Sequence, residues 1–227
     1  MTQLADRNAA LRELAPHGTV RVAINIANAA TVAVSDEGGL EGPAPRLAEA
    51  LGAWTGLPIA FTRFRSAREV VEAAEAGGAW DVAFLAVDPS RAGLFHFTPA
   101  YLSIEATAAV WANSAFDGVE ALDRSEVRIA TSRGAAYDSV LERTFLHARR
   151  IPFDTPRLSF EGFEQQRLEA VAGVRQMLEQ AVAGRDDIRL LPGRIAALEH
   201  AMVTPIDRKR AGALLDGFVR DALAGRS

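Results

Sequence analysis

Hydrophobic positions along the chain fall into two series in which strand and helix periods alternate. In the first, Thr19 to Asn25 (Thr-Val-Arg-Val-Ala-Ile-Asn) has the composition of a strand. The small-residue loop from Ala27 to Gly42 follows, and it predicts a hairpin with arms at Ala30 to Val34 and from Leu40 onward, turned at Asp36-Glu37-Gly38-Gly39. Pro45 to Gly56 carries Leu47, Ala50, Leu51 and Trp54 on one helical stripe, ended by Gly56 and Pro58. Pro58 to Phe64 is a second strand. Ser66 and Glu69 form a capping box for a helix that buries Val70, Val71 and Ala74 and stops at Gly77-Gly78. Val82 to Val87 is an uninterrupted apolar run, the pattern of a strand covered on both faces. Strand, helix, strand, helix, strand predicts a parallel, doubly wound α/β unit.

The second series is looser. Ile104 to Ala112 predicts a long strand that crosses into a second lobe. Val127 to Thr131 predicts a strand, and a helix runs from about Ala135 to Arg149 with Tyr137, Val140, Leu141, Thr144, Phe145 and Ala148 on its buried stripe. On this pattern His147, Arg149 and Arg150 end that helix, where positive charge suits the dipole. Pro156 to Phe160 reads as a short strand, Glu161 to Glu169 as a short helix and Ala170 to Val174 as a strand. Gln176 to Ala183 reads as a helix and Ile188 to Leu191 as a strand. Residues 195 to 203 predict the return crossing, and Pro205 to Ala224 a final helix capped by Asp207.

The central strand stops at Asp88-Pro89, a turn signal, and Arg91 follows just past its carboxyl end. In open α/β sheets ligands sit at that edge. A planar, permanently charged fork there suits a carboxylate; the other reading is a solvated surface arginine. Arginine is abundant here, since Lys209 is the single lysine in a chain of 227 residues. His96, between Phe95 and Phe97, alternates to the face opposite the aromatics and reads as a partly exposed histidine. Glu105 lies near the start of the crossing strand, either as a solvated carboxylate or as a ligand contact. The loop Thr131, Ser132, Arg133, Gly134 opens a helix, whose free N–H groups suit anions.

Composition narrows the classes. A net charge of -4 with no basic cluster argues against a nucleic-acid partner. With no cysteine there is no disulfide, thiolate nucleophile or cysteine metal site. No G-x-S-x-G elbow, HExxH or clustered His/Asp spacing points to a triad or a metal, and no GxGxxG cradles a phosphate. No cofactor is expected. Met1 to Gly18 is polar and helical and lacks the apolar run of a secretory leader, and no stretch approaches a membrane span.

The stretch from Trp80 to Tyr101, an apolar strand, a turn with Asp88 and Arg91, then Phe97-Thr98-Pro99-Ala100-Tyr101, resembles the first lobe of the type 2 solute-binding proteins of ABC importers, in their amino-acid-binding branch (family 3). The similarity extends more loosely from about Thr19 to the end. It implies a two-lobed periplasmic-binding-protein-like fold, each lobe a doubly wound, mainly parallel sheet, joined by two crossing strands. Lobe 1 is expected over 1–105 plus 203–227 and lobe 2 over 106–202.

The resemblance implies that Arg91 grips a ligand's α-carboxylate, with Asn25, Ala86 and Tyr101 beside it. From the second lobe it implies Ser132, Arg133 and Gly134. Two features depart from the branch. The first loop, Asn25 to Thr31, has no aromatic to stack on the ligand. Beyond the strand at Ala170 to Val174, where amino-acid binders carry an acid for the α-amine, the chain reads Gly173-Val174-Arg175. Arg175 in that place favours a ligand with a second anionic group, or one without an amine.

The expected function is capture of a small carboxylate-bearing ligand, amino acid or organic anion, between two lobes by a binding protein rather than an enzyme, with an ABC permease as partner. The alternatives are a cytoplasmic sensing domain of the same fold and a cyclohexadienyl-dehydratase-like enzyme, in which Glu105 is the available general acid. The resemblance implies a periplasmic location; the lack of a leader implies a cytoplasmic one if the sequence is the whole gene product.

Overall fold

The structure, a computed structural model, describes residues 2–225. Contacts divide the chain into two units, residues 1–26, 31–102 and 199–227, and residues 27–30 and 103–198. The chain passes between them through two long strands, β6 (Phe95–Trp111) and β11 (Ala196–Pro205), each with residues in both units. These two strands are hydrogen-bonded neighbours.

In the first unit β1 (Val20–Asn25) lies parallel between β4 (Ile59–Phe64) and β5 (Val82–Ala86), and β11 adds antiparallel to β5 with His200 opposite Ala86 and Met202 opposite Phe84. All five residues of β5 are buried, as its apolar run requires. One face is covered by α2 (Pro43–Thr55) and α7 (Lys209–Leu223), which contribute Ala48, Leu51, Leu215 and Phe218 to a core with Val20, Val22, Ile24 and Phe84. The other is covered by α3 (Ala67–Glu75), with Val70, Trp80, Leu85 and Phe95. Gly56 ends α2 in the left-handed region at φ 73°, where only glycine is unstrained. The hairpin is present but short, β2 (Ala33–Val34) with β3 (Leu40–Glu41).

Two caps depart from the sequence expectation. Ser66 Oγ accepts from Glu69 N at 3.2 Å as a capping box requires, but Glu69 Oε2 accepts from Arg65 N at 2.8 Å, one residue earlier than expected. At α7 no side chain of its own N-cap serves; Asp207 was expected there. Glu13 from α1 (Thr2–Leu14) instead accepts from Arg210 N at 2.6 Å and Ala211 N at 2.9 Å, so one carboxylate fastens the first helix to the start of the last.

In the second unit β7 (Arg128–Ser132) lies parallel between β8 (Arg149–Phe153) and β9 (Ala170–Val174). The second half of β6 runs antiparallel to β9 and to β10 (Ile188–Leu190). The core joins Ala109, Ala130, Phe163, Leu168, Val171 and Leu178, with Trp111 stacked on Phe163 at 4.7 Å.

Three elements here correct the sequence reading. The helix expected to Arg149 ends at Thr144 (α4, Ala136–Thr144), because Asp123 accepts from the N–H groups of Leu146, His147 and Ala148 at 3.1, 2.7 and 2.9 Å and turns the chain into β8. Arg149 and Arg150 are therefore strand residues, and Arg150 pairs with Asp138 and Glu142. Residues 156–160, expected as a strand, begin α5 (Pro156–Gln165), where Thr155 Oγ1 accepts from Leu158 N at 3.2 Å and Pro156 occupies the first turn. Finally, the aromatic run at 95–101 and the crossing strand at 104–112 are one strand, β6.

Candidate functional site

In the first unit, β5 delivers the chain to a short 3-10 turn, Pro89–Arg91. Asp88 caps it, accepting at Oδ1 from Ser90 N at 3.0 Å and from Ser90 Oγ at 2.9 Å. Arg91 is 6% exposed, so the solvated-surface reading of this residue is corrected. Burial pulls its guanidinium below the ordinary arginine value, and the Asp88 charge partly offsets this. A guanidinium stays protonated through such a shift. The turn therefore holds a permanent positive charge in a largely buried position at the carboxyl end of the central strand.

Around it, Ala86 ends β5, nearly buried, and Asn25 ends β1, half-buried opposite Phe64. Tyr101 belongs to the core: it packs edge-on against Phe84 with centroids 5.5 Å apart, beside α2 and α7, and burial pushes its phenol up. The neighbour that sequence reasoning did not single out is His200. It lies opposite Ala86 in the β5–β11 ladder, is 5% exposed, and is pushed down to about 4 by burial and by the Arg91 charge. Its sequence signal is a histidine beside Glu199 in a largely apolar crossing strand. His96 lies elsewhere, with Nε2 3.0 Å from Asp216 of α7, partly exposed as expected.

In the second unit, Thr131 and the buried Ser132 end β7, and Gly134 makes the turn into α4 at φ 70°. The N–H groups of this loop meet protein acceptors. Arg133 N donates to Phe153 O at 2.7 Å, Gly134 N to Asp138 Oδ2 at 3.3 Å and Ala135 N to Ser132 O at 3.0 Å. Three backbone donors of this loop are thus met within the protein, that of Gly134 by Asp138 in the first turn of α4. Arg133 is half exposed, with Nη2 3.2 Å from Pro152 O and Nε 3.6 Å from Asp154.

Glu105 and Arg175, separate candidates in the sequence, are partners. Arg175 Nε donates to Glu105 Oε2 at 2.8 Å and its Nη2 to Gly193 O at 2.8 Å. Arg194 approaches the other carboxylate oxygen at 3.5 Å. The hydrogen bond from Arg175 holds the Glu105 carboxyl below its ordinary value. Among the described residues no group of three or more His, Cys, Asp or Glu is placed to hold a metal.

The sequence matches no protein-family model and no curated protein. Solved structures match along almost the whole chain. The arginine-bound form of truncated ArgBP from T. maritima is 16% identical with a TM-score of 0.76, covering 92% of this chain and 99% of that one. The periplasmic VFT2 domain of BvgS from Bordetella pertussis is 18% identical with a TM-score of 0.76, covering 96% of each. The substrate-binding protein of an amino acid ABC transporter is 14% identical with a TM-score of 0.77, covering 92% and 95%. Taken with the two α/β units and their paired crossing strands, these likenesses give the chain the type 2 periplasmic-binding-protein fold.

Proposed function

We propose that the protein captures a small carboxylate-bearing ligand, an amino acid or organic anion, whose carboxylate is gripped by Arg91. The observation that carries this reading is the largely buried guanidinium at the carboxyl end of β5. A planar guanidinium fork matches a carboxylate bidentately, and a largely buried one is poorly screened. ArgBP and the amino acid transporter's substrate-binding protein are binding proteins of this fold, which supports binding over turnover.

The likeness to a transporter component supports an ABC permease as the partner.

The test is calorimetry on hits from a thermal-shift screen of amino acids and carboxylates. Losing a charged, hydrogen-bonded partner costs about 2 to 5 kcal/mol. Arg91→Ala should therefore weaken binding by roughly 30-fold or more. Wild-type affinity in that variant would end the assignment.

A further inference from the structure

His200 lies on β11 beside the Arg91 turn. It faces Ala86 across the β5–β11 ladder, and the ladder continues into the turn through Val87 N donating to Glu199 O at 2.7 Å. This places the imidazole where β5 gives way to the Asp88-Pro89-Ser90-Arg91 turn. The ring is 5% exposed, and its Nδ1 is fully buried with no hydrogen-bond partner among the described residues.

Buried polar atoms are nearly always satisfied, and a leucine or methionine would fill the same space without the desolvation cost. Its neighbours on β5 and β11 offer it no partner, and the nearest titratable group on that face is the buried phenol of Tyr101 against Phe84. Paired strand residues share a face, so β5 contributes Ala86 and Phe84 here and β11 contributes Met202, all uncharged. The charge acting on the ring is that of Arg91, and Asp88 is the carboxylate acting on Arg91. The ring is thus kept neutral beside a fixed cation, and a neutral imidazole carries one N–H donor.

We propose that His200 is a ligand-contacting, specificity-determining residue of the Arg91 site, donating Nδ1–H to the same carboxylate that Arg91 grips. This inference rests on the reading of Arg91 as the carboxylate grip. Two converging donors, one charged and one neutral, favour a carboxylate over a neutral amide or hydroxyl ligand. They also link binding to protonation. An anion on Arg91 offsets the cationic field that disfavours imidazolium, so the His200 pKa rises on binding. Binding then takes up protons below neutral pH, and affinity increases as pH falls from 7 to 5, in a range where the ligand's carboxylate remains largely ionised.

The experiment has two arms. In the ligand-free protein, the His200 ring is followed by nitrogen-detected NMR against pH in wild type and Arg91→Gln. Removing the cation should raise the titration midpoint, and an unmoved midpoint overturns the coupling. In the second arm the full chain is mixed with acetate, succinate, L-glutamate or L-arginine at millimolar concentration, with ring NMR and calorimetry at pH 7 and pH 5. Wild type should bind at least one probe with a shift of the His200 resonances and about fivefold or more tighter at pH 5.

His200→Gln, which keeps an N–H and cannot titrate, should retain most of the affinity at pH 7 and lose the pH dependence. His200→Leu should lose about tenfold at pH 7. Ring resonances unmoved by all four probes, or a His200→Leu variant that binds as wild type at both pH values, overturns the proposal. If Arg91→Ala binds as wild type, the carboxylate grip itself is wrong and the role of His200 falls with it. Loss in Arg91→Ala together with normal binding in His200→Leu retains the grip and rejects His200 alone.

Discussion

Arg175 donates its Nε to Glu105 Oε2 at 2.8 Å, the arginine opening the helix that follows β9 and the glutamate lying in β6 next to the Ala106–Val174 pair. The sequence places a lone arginine where amino-acid binders of this fold carry an acid. The structure places a carboxylate beside it, brought from the neighbouring strand. Gly193 O occupies a further guanidinium donor of Arg175, and Arg194 stands 3.5 Å from the other carboxylate oxygen.

Breaking the pair should reveal which partner it holds in check. Arg175→Ala releases Glu105 and should shift preference towards amine-bearing ligands. Glu105→Gln releases Arg175 and should shift it towards diacids. The measurement is the affinity ratio within matched pairs, L-glutamate against glutarate and L-arginine against 5-guanidinovalerate, for wild type and both variants. Opposite, several-fold movements are expected. Ratios unchanged in both variants would remove Glu105 and Arg175 from the ligand's surroundings.

Arg91→Lys distinguishes a fork from a point charge. Lysine keeps the positive charge but cannot make two parallel N–H bonds, and its ammonium is more strongly hydrated. The variant should recover only part of the affinity that Arg91→Ala loses. Wild-type binding should weaken with added salt less than an exposed pair does, because a largely buried guanidinium is poorly screened. Calorimetry at two ionic strengths checks both points. Full recovery by lysine would mean that charge alone suffices.

Elements fixed by local chemistry were legible in the sequence. The apolar run of β5, the Gly56 stop of α2 and the Ser66 cap of α3 each carry their own signal, and each is found where expected. Where a distant residue decides, the reading failed. Phe145 and Ala148 continue the helical period of α4, but three N–H groups at 146–148 bind Asp123, far back in the chain, and the strand wins. At 156–165 the signal was present and misread, since Thr155 with Pro156 is a helix start. The candidate residues divide the same way. Arg91 follows from its turn, whereas His200 beside Ala86 and Glu105 beside Arg175 follow from strand register, which pattern alone does not supply.

Gly162 tests the packing of α5. A Cβ at this helical position would overlap the Phe153 ring of β8. On an open helix face glycine to alanine would stabilise by about 1 kcal/mol. Overpacking typically costs about 1 to 3 kcal/mol, so the sign reverses here. Gly162→Ala should lower unfolding stability, and Phe153→Leu in the same chain should restore part of the loss. Urea denaturation of the two single variants and the double variant measures the coupling, expected at about 0.5 kcal/mol or more. Strict additivity would show that the ring moves aside freely.

Asp81 tests what holds the first unit together. Its carboxylate is fully buried and accepts from Arg21 N and Nε at 2.9 Å, Arg21 Nη2 at 2.7 Å and Arg208 Nη1 at 2.7 Å. Through it β1, the start of β5 and the approach to α7 share one anion, and Thr204 Oγ1 donates to the Asp81 carbonyl at 2.9 Å. Burial by itself raises the Asp81 pKa, but the hydrogen bonds and charges of Arg21 and Arg208 outweigh it and hold the carboxyl below its ordinary value. A carboxylate with a depressed folded pKa contributes stability that is present above its unfolded value, near 3.9. That contribution is lost as pH falls through the folded value, so stability should decline progressively below about pH 5. Asp81→Asn keeps the shape but leaves two arginines facing an amide, and breaking a buried pair costs about 3 kcal/mol or more. The variant should unfold at lower urea at pH 7 and show a flatter decline from pH 5 to pH 3, since the titrating group is gone. An Asp81→Asn protein with wild-type stability at pH 7 and the same acid slope would show that the network contributes nothing net, with desolvation cancelling its attraction.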